Sequence, residues 1–191
     1  MFYAGSSEND VPVPLGNFFG QDSLPTAIDI HSDLDVVVTG SLDGSCHVYS
    51  LATQRTLRTL DFADETDELV PRLLRISSLG YVVAYCESAH FHELQVHSLQ
   101  NGARVARYMP SSILLSLAMS ANGEYLVTGG ENGTVSLFAV IGSEGFLQLI
   151  ADWKCESKVC SLALVASVNC EAICAGLESG ALNVIELRGV I

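Results

Sequence analysis

Residues 126–138, Leu-Val-Thr-Gly-Gly-Glu-Asn-Gly-Thr-Val-Ser-Leu-Phe, read as strand, tight turn, strand. Leu126, Val127 and Thr128 precede the turn and Thr134 to Phe138 follow it, apolar and β-branched as strands prefer. Asn132-Gly133 suits a two-residue type I′ hairpin, which needs φ > 0 at both central positions. The stretch recurs. Residues 37–49 read Val-Val-Thr-Gly-Ser-Leu-Asp-Gly-Ser-Cys-His-Val-Tyr, and residues 174–185 read Cys-Ala-Gly-Leu-Glu-Ser-Gly-Ala-Leu-Asn-Val-Ile. In each, Thr-Gly or Ala-Gly ends four residues before the turn glycine, and a bulky residue (Tyr49, Phe138, Ile185) follows it by five.

Each hairpin sits inside a longer antiparallel unit. Thr26 to Ile30, Asp35 to Gly40, Ser45 to Ser50 and Arg55 to Leu60 read as four short strands. A second unit runs from Arg72 to Tyr108, a third from Leu114 to Trp153, and a fourth from Val159 to Leu187 with three strands. The bulky third-strand residues Tyr49, His97, Phe138 and Ile185 stand 48, 41 and 47 residues apart. A four-stranded unit repeating at roughly 40–45 residues is the pattern of a propeller blade. Stepping 46 residues back from Tyr49 reaches Tyr3, so the chain is expected to start in mid-blade. The expected division is 1–25 for the end of a preceding blade and its lead-in loop. Then come blade one (26–60), blade two (70–108), blade three (113–153) and blade four without its outer strand (159–191).

Composition supports a globular, heavily buried chain with one sizeable core. Of 191 residues, 49% are apolar and 16% charged, far from the disordered class. Nine basic against 22 acidic residues leave a formal charge of −13. Nucleic acid is therefore not an expected ligand, because phosphate neutralisation needs clustered Lys and Arg. Direct membrane insertion is not expected either, since no run approaches the roughly 18 apolar residues of a span. No signal peptide is visible, and the six cysteines read as buried, reduced thiols of a cytoplasmic protein.

The residues resemble the WD-repeat family. Gly40 to Tyr49 is similar to that family's passage from second to third strand, with Asp43 at the turn aspartate and Tyr49 at the tryptophan position. Gly129 to Phe138 aligns with it without gaps, and Phe19-Gly20-Gln21 resembles the Gly-His lead-in motif with Gln21 in place of histidine. No blade ends in Trp-Asp, so the hydrogen-bonded tetrad of the family is incomplete and packing is expected to carry more of the stability. A narrower resemblance spans roughly residues 11–187. Val11 to Leu15, Thr26 to Gly44, Thr56 to Leu60 and Cys174 to Val184 are similar to the C-terminal repeats of BEACH-domain proteins of the neurobeachin and beige-like group. The resemblance implies about four WD-type blades, as an open arc or part of a seven-bladed ring. It implies a non-catalytic protein-binding scaffold in vesicle trafficking and membrane-protein sorting. An upstream BEACH domain and further blades would belong to the full protein, which would be cytoplasmic and peripheral to endomembranes. A WD-repeat adaptor of another pathway, such as a ubiquitin-ligase substrate receptor, and a propeller-fold hydrolase are the alternatives.

Few residues invite a chemical role. Cys155-x4-Cys160 and Cys170-x3-Cys174 fall on strands rather than on the tight knuckles of structural zinc. His90 and His92 lack a third ligand in sequence, and no cofactor is expected. Gly40 to Gly44 lacks the Gly-x-Ser-x-Gly order of a nucleophile elbow, and Gly129 to Gly133 lacks the Lys-Ser/Thr and helix of a phosphate loop. The first-strand residues Thr26, Ile28, Leu73, Leu114, Ser116, Ser161 and Leu162 are poor channel ligands for a hydrolase. The sharpest charge feature is Asp61 to Leu69, which holds Asp61, Asp64, Glu65, Asp67 and Glu68. It reads as a solvated loop on one rim, with a basic protein partner as its functional alternative. Trp153, the sole tryptophan, reads as an edge-packing residue or a partner anchor.

Overall fold

The computed structural model describes residues 16–62, 69–142, 145–167 and 170–187. The predicted starting point at Tyr3 lies outside the described residues. These form fifteen strands and no helix. The first sheet contains β1 (Pro25–His31), β2 (Val36–Ser41), β3 (Ser45–Ser50) and β4 (Thr56–Asp61). The second contains β5 (Val70–Ser77), β6 (Tyr81–Glu87), β7 (His92–Ser98) and β8 (Arg104–Tyr108). The third contains β9 (Leu114–Met119), β10 (Tyr125–Gly130), β11 (Thr134–Gly142) and β12 (Gly145–Lys154), and the fourth β13 (Val159–Ser167), β14 (Cys170–Leu177) and β15 (Leu182–Glu186). Every sheet is an antiparallel meander in chain order. The all-β, WD-type arrangement expected from the repeats is what the chain adopts, and the sheets follow one another as an open arc.

The founding hairpin differs from the expected turn. Gly133 has φ +81° and Asn132 is not among the left-handed residues, so the turn is not type I′. The amide of Gly133 donates to Gly130 O at 3.0 Å, and Asn132 Oδ1 accepts from the Thr134 amide at 2.9 Å. A three-residue loop with a left-handed glycine at its end satisfies the same strands, because the asparagine side chain bonds two residues on instead of entering the left-handed region itself. The Asp43-Gly44 turn is built the same way. Asp43 Oδ1 accepts from the Ser45 amide (2.9 Å) and hydroxyl (2.7 Å), and the Gly44 amide donates to Ser41 O at 3.1 Å.

Three cores lie between successive sheets. Val38, Val48 and Leu60 meet Leu74, Ile76 and Val82 in the first. Val83, Tyr85 and Val96 meet Leu117, Leu126 and Phe138 in the second, and Val127, Val135 and Leu137 meet Ile173, Ala175 and Leu177 in the third. Each strand thus uses alternate residues for alternate neighbours, which is why the strands read as near-continuous apolar runs. An aromatic ring also caps the bulky third-strand residue in each of the first three sheets. Phe18 lies 5.1 Å from Tyr49, Phe62 4.7 Å from His97 and Tyr108 4.9 Å from Phe138. The pairing of third with fourth strand slips just before that residue each time, between Val48 and Tyr49, Val96 and His97, and Leu137 and Phe138. The bulge re-aims the bulky side chain toward its cap.

Side-chain hydrogen bonds cross the same junctions. Asp29 Oδ2 accepts from the Ile76 amide at 2.7 Å, Ser77 Oγ donates to Gly123 O at 2.6 Å, and Ser116 Oγ donates to Val159 O at 3.4 Å. Gly129 permits a close approach: a Cβ there would stand 2.6 Å from Val159 Cγ1 and 2.5 Å from Ser116 Oγ. Gly129→Ala is therefore expected to lower stability by about 1–3 kcal/mol through overpacking of the junction between third and fourth sheets. Chemical denaturation measures it, and a loss below about 0.5 kcal/mol would show that the junction yields freely.

Candidate functional site

The turns that join second to third strands share one rim with the loops that lead into the next sheet. A Cβ on Gly44 would meet Leu69 O at 2.9 Å, and one on Gly133 would meet Ser157 O at 2.8 Å and Cys155 O at 3.0 Å. The expected solvated loop is held at both ends: Phe62 and Leu69 are fully buried in the first core. Their apolar side chains anchor it, which the density of carboxylates in the sequence obscured. Asp61 is exposed and ends β4 opposite Ser45. Asp64, Glu65, Asp67 and Glu68 lie outside the described residues.

The rest of this rim is also acidic. Glu131, Glu156 and Glu178 gather about the turn at Ser179, and Lys158 Nζ lies 2.6 Å from Glu131 Oε1 and 3.9 Å from Glu178 Oε1. Those two carboxylates, the hydrogen-bonded Glu131 first, hold the Lys158 ammonium above its ordinary range. Lys154 Nζ donates to Asn132 O. Asp43 is held below the ordinary carboxylate range, chiefly by the Ser45 hydroxyl and then by the Ser45 amide. Both lysines on this stretch of rim thus already serve local acceptors. Trp153 is half-buried and packs against the third core near the end of β12.

A buried polar ladder escaped the sequence reading. Glu93, Gln95 and His97 alternate along β7, all at most 2% exposed, on the face toward the first sheet. Arg107 reaches Glu93 Oε2 through Nε at 3.0 Å and a terminal nitrogen at 2.9 Å. Gln95 Nε2 donates to Glu93 Oε1 (2.7 Å) and to Phe62 O (3.0 Å), which leaves Gln95 Oε1 to accept from His97 Nε2 at 2.8 Å. The other ring nitrogen of His97 lies 3.3 Å from Gly102 O. Burial dominates and pushes the His97 imidazole below its usual range, against the Gly102 carbonyl. The ladder ties β7 and β8 to the loop that leaves β4. Polar residues at every second position of a strand were the available signal, because period two puts them on one face.

The remaining candidates separate in space. Cys155 is buried, Cys160 exposed and Cys174 half-buried, while the Cys170 side chain lies outside those described. Among the described residues no three His, Cys, Asp or Glu gather in a metal-holding group. A cavity of about 40 Å³ between the second and third sheets, lined by Tyr108, Ser112, Thr128 and Phe138, has room for water but not for a substrate. No helix among the described residues is long and apolar enough to cross a membrane.

Comparison with known families decides the relationship, since the description "Neurobeachin beta propeller domain" matches residues 9–189. The chain belongs to the neurobeachin β-propeller family. It is 27% identical over 170 residues to BEACH domain-containing protein B of Arabidopsis thaliana, a match that covers 88% of this chain. The chain spans only 6% of the length of that relative. Among solved structures, the computationally designed Ika4 protein superposes with TM-score 0.69 at 22% identity, over 93% of this chain and all of that one. A chain of the Mitotic Checkpoint Complex superposes with TM-score 0.70 at 14% identity, over 91% of this chain and 52% of that one. These likenesses show the fold. In this neurobeachin-family propeller the lead-in segment is tied to the second strand of the first sheet, where Thr39 Oγ1 donates to Gln21 Oε1 at 2.8 Å. Family and fold are those of a WD-type propeller scaffold.

Proposed function

We propose that this propeller arc is a non-catalytic scaffold of a BEACH-type protein in vesicle trafficking and membrane-protein sorting, and that its acidic rim receives a basic segment of a partner protein. The observation that carries the binding reading is the charge of that rim. Asp43, Asp61, Glu131, Glu156 and Glu178 stand on it, and Lys158 is already engaged by two of them. Asp64, Glu65, Asp67 and Glu68 extend the same run in sequence. A patch of one sign steers an oppositely charged segment and sets its register. Trp153 is proposed to shape the blade edge beside this rim rather than to anchor the partner. The trafficking role rests on the relationship to BEACH-domain proteins.

The test uses the full chain and an array of Lys/Arg-rich peptides, followed by titration of the strongest binder in varied salt. Changing Asp61, Asp64 and Asp67 to Asn and Glu65 and Glu68 to Gln is expected to weaken that peptide about ten-fold or more at low salt and to flatten its salt dependence. Equal affinity and an equal salt slope would refute the rim as the docking surface.

A further inference from the structure

Among the described residues, four turns join second to third strands on the acidic rim, and one of them is unlike the others. Leu42-Asp43-Gly44, Glu131-Asn132-Gly133 and Glu178-Ser179-Gly180 each carry a carboxylate and end in a glycine with φ between +81° and +85°. The turn between β6 and β7 is Ser88-Ala89-His90-Phe91, with no carboxylate and no glycine. Ser88 builds it instead. Its Oγ accepts from the amides of His90 at 3.2 Å and Phe91 at 3.1 Å, and its own amide donates to Phe91 O at 2.9 Å. This wider turn borders a cavity of about 230 Å³, lined by Glu87, Ala89, His90, Phe91, His92 and, from the connection between β8 and β9, Ile113.

The lining is mostly apolar or aromatic, and it is held in place by the cores beneath the rim. Phe91 packs on the first core, and the His92 ring lies 5.9 Å from that of the fully buried Tyr85 in the second. Ile113 is 42% exposed, so a visiting group can reach it. The carboxylate in the lining is already used: Arg72 Nε lies 3.3 Å from Glu87 Oε2. A space of this size falls below the roughly 300–1,000 Å³ of sites that take whole small molecules, and it suits one aliphatic or aromatic side chain.

The cavity sits between the two acidic stretches of the rim. On one side Glu87 pairs with Val70, the residue after the buried Leu69 that closes the acidic run begun at Asp61. On the other side Ile113 O accepts from the Glu131 amide at 2.8 Å, and the Glu131 carboxylate shares Lys158 with Glu178. An extended segment that touches both stretches crosses the cavity.

We propose that this cavity receives an apolar side chain of the partner, so that the segment this rim recognises carries a leucine-, methionine- or phenylalanine-sized residue flanked on both sides by Lys or Arg. The inference rests on the rim as the docking surface and adds a specificity to it. The flanking cations answer the two groups of carboxylates, which steer the segment and fix its register. The apolar anchor, taken out of water against Ile113 and Phe91, supplies affinity that salt does not screen. Lys or Arg is the poorer occupant of the cavity itself, because Arg72 already answers Glu87. The histidines are walls of the cavity rather than ligands, since among the described residues no third metal-binding group joins them.

Titration of the full chain with two peptides reads the result: one has leucine at its centre between Lys/Arg flanks, and its twin has serine there. The leucine peptide is expected to bind about ten-fold tighter, the effect of burying one aliphatic side chain. Both peptides should weaken with salt to the same degree, because their charges are equal. Ala89→Trp, which fills the cavity from an exposed position, and Ile113→Ser, which removes its apolar wall, leave the charge of the rim unchanged. Each should abolish the leucine advantage and leave the serine peptide as it was, with unchanged β-sheet circular dichroism. Equal, salt-dependent binding of both peptides to the wild type overturns the cavity and leaves the rim standing. A leucine advantage that survives both variants places the anchor elsewhere and also overturns it. A leucine advantage without salt dependence refutes the basic flanks, and no binding of either peptide refutes the rim and the cavity together.

Discussion

Phe138→Ala is expected to cost about 3–5 kcal/mol of folding stability, the range for deleting a fully buried aromatic ring. Phe138 is 1% exposed and lies in the core between the second and third sheets. Its ring meets Tyr108 edge-on, at 4.9 Å and 72°. Two rigid sheets flank the site, so little can move in to fill the space. The small cavity beside Tyr108 and Thr128 already borders the ring and would join the new void. At roughly 2–4 °C per kcal/mol for a chain of this size, the melting temperature should fall by about 6–20 °C. Phe138→Leu, which keeps most of the volume, should cost below about 1.5 kcal/mol. Urea denaturation of the three proteins gives both numbers. A loss under about 1 kcal/mol for the alanine variant would mean that the arc collapses locally and that this junction is not a rigid packing unit.

The second large effect is electrostatic. Arg107→Ala is expected to destabilise by about 3 kcal/mol, the lower end of the cost of an uncompensated buried charge. Glu93 is fully buried, and Arg107 meets its Oε2 with two nitrogens while keeping 46% of its own side chain exposed. Without the guanidinium the carboxylate keeps Gln95 as a neutral donor, but its charge stays under the first sheet. Adding Glu93→Gln should recover at least half of the loss, since the amide needs no counter-charge and its oxygen can still accept from Gln95. The double-mutant cycle separates the pair from simple truncation. If the double variant is no better than Arg107→Ala, the cost lies in lost packing of the arginine stem rather than in the stranded charge.

The repeated hairpins were legible because their requirements are local. A glycine with φ near +81° at residues 44 and 133, flanked by β-branched and apolar residues, specifies strand, turn and strand without help from the rest of the chain. The turn type at Asn132 was misjudged because Asn-Gly serves two loop geometries, and the side-chain bond from Thr134 selects between them. The Glu93–Gln95–His97 ladder was in plain view as an alternation, yet nothing local told which neighbour it faced. Its partners, Phe62 O and Arg107, come from 33 and 14 residues away. Likewise the carboxylates of 61–68 drew attention to solvent, while Phe62 and Leu69 at the loop's ends were burying themselves under the second sheet.

By itself the sequence determined the number and order of the sheets, the position of the turns and the sign of the rim. These follow from backbone preferences, period-two patterning and formal charge, all of which act within a few residues. Only the tertiary structure decided which apolar residues are covered. Val48 and Val184 are the same amino acid at the same place in the repeat, one 2% exposed and the other 63%. The difference is the presence or absence of a neighbouring sheet, and a sheet's neighbour is set by packing across the arc rather than by any residue beside it in the chain.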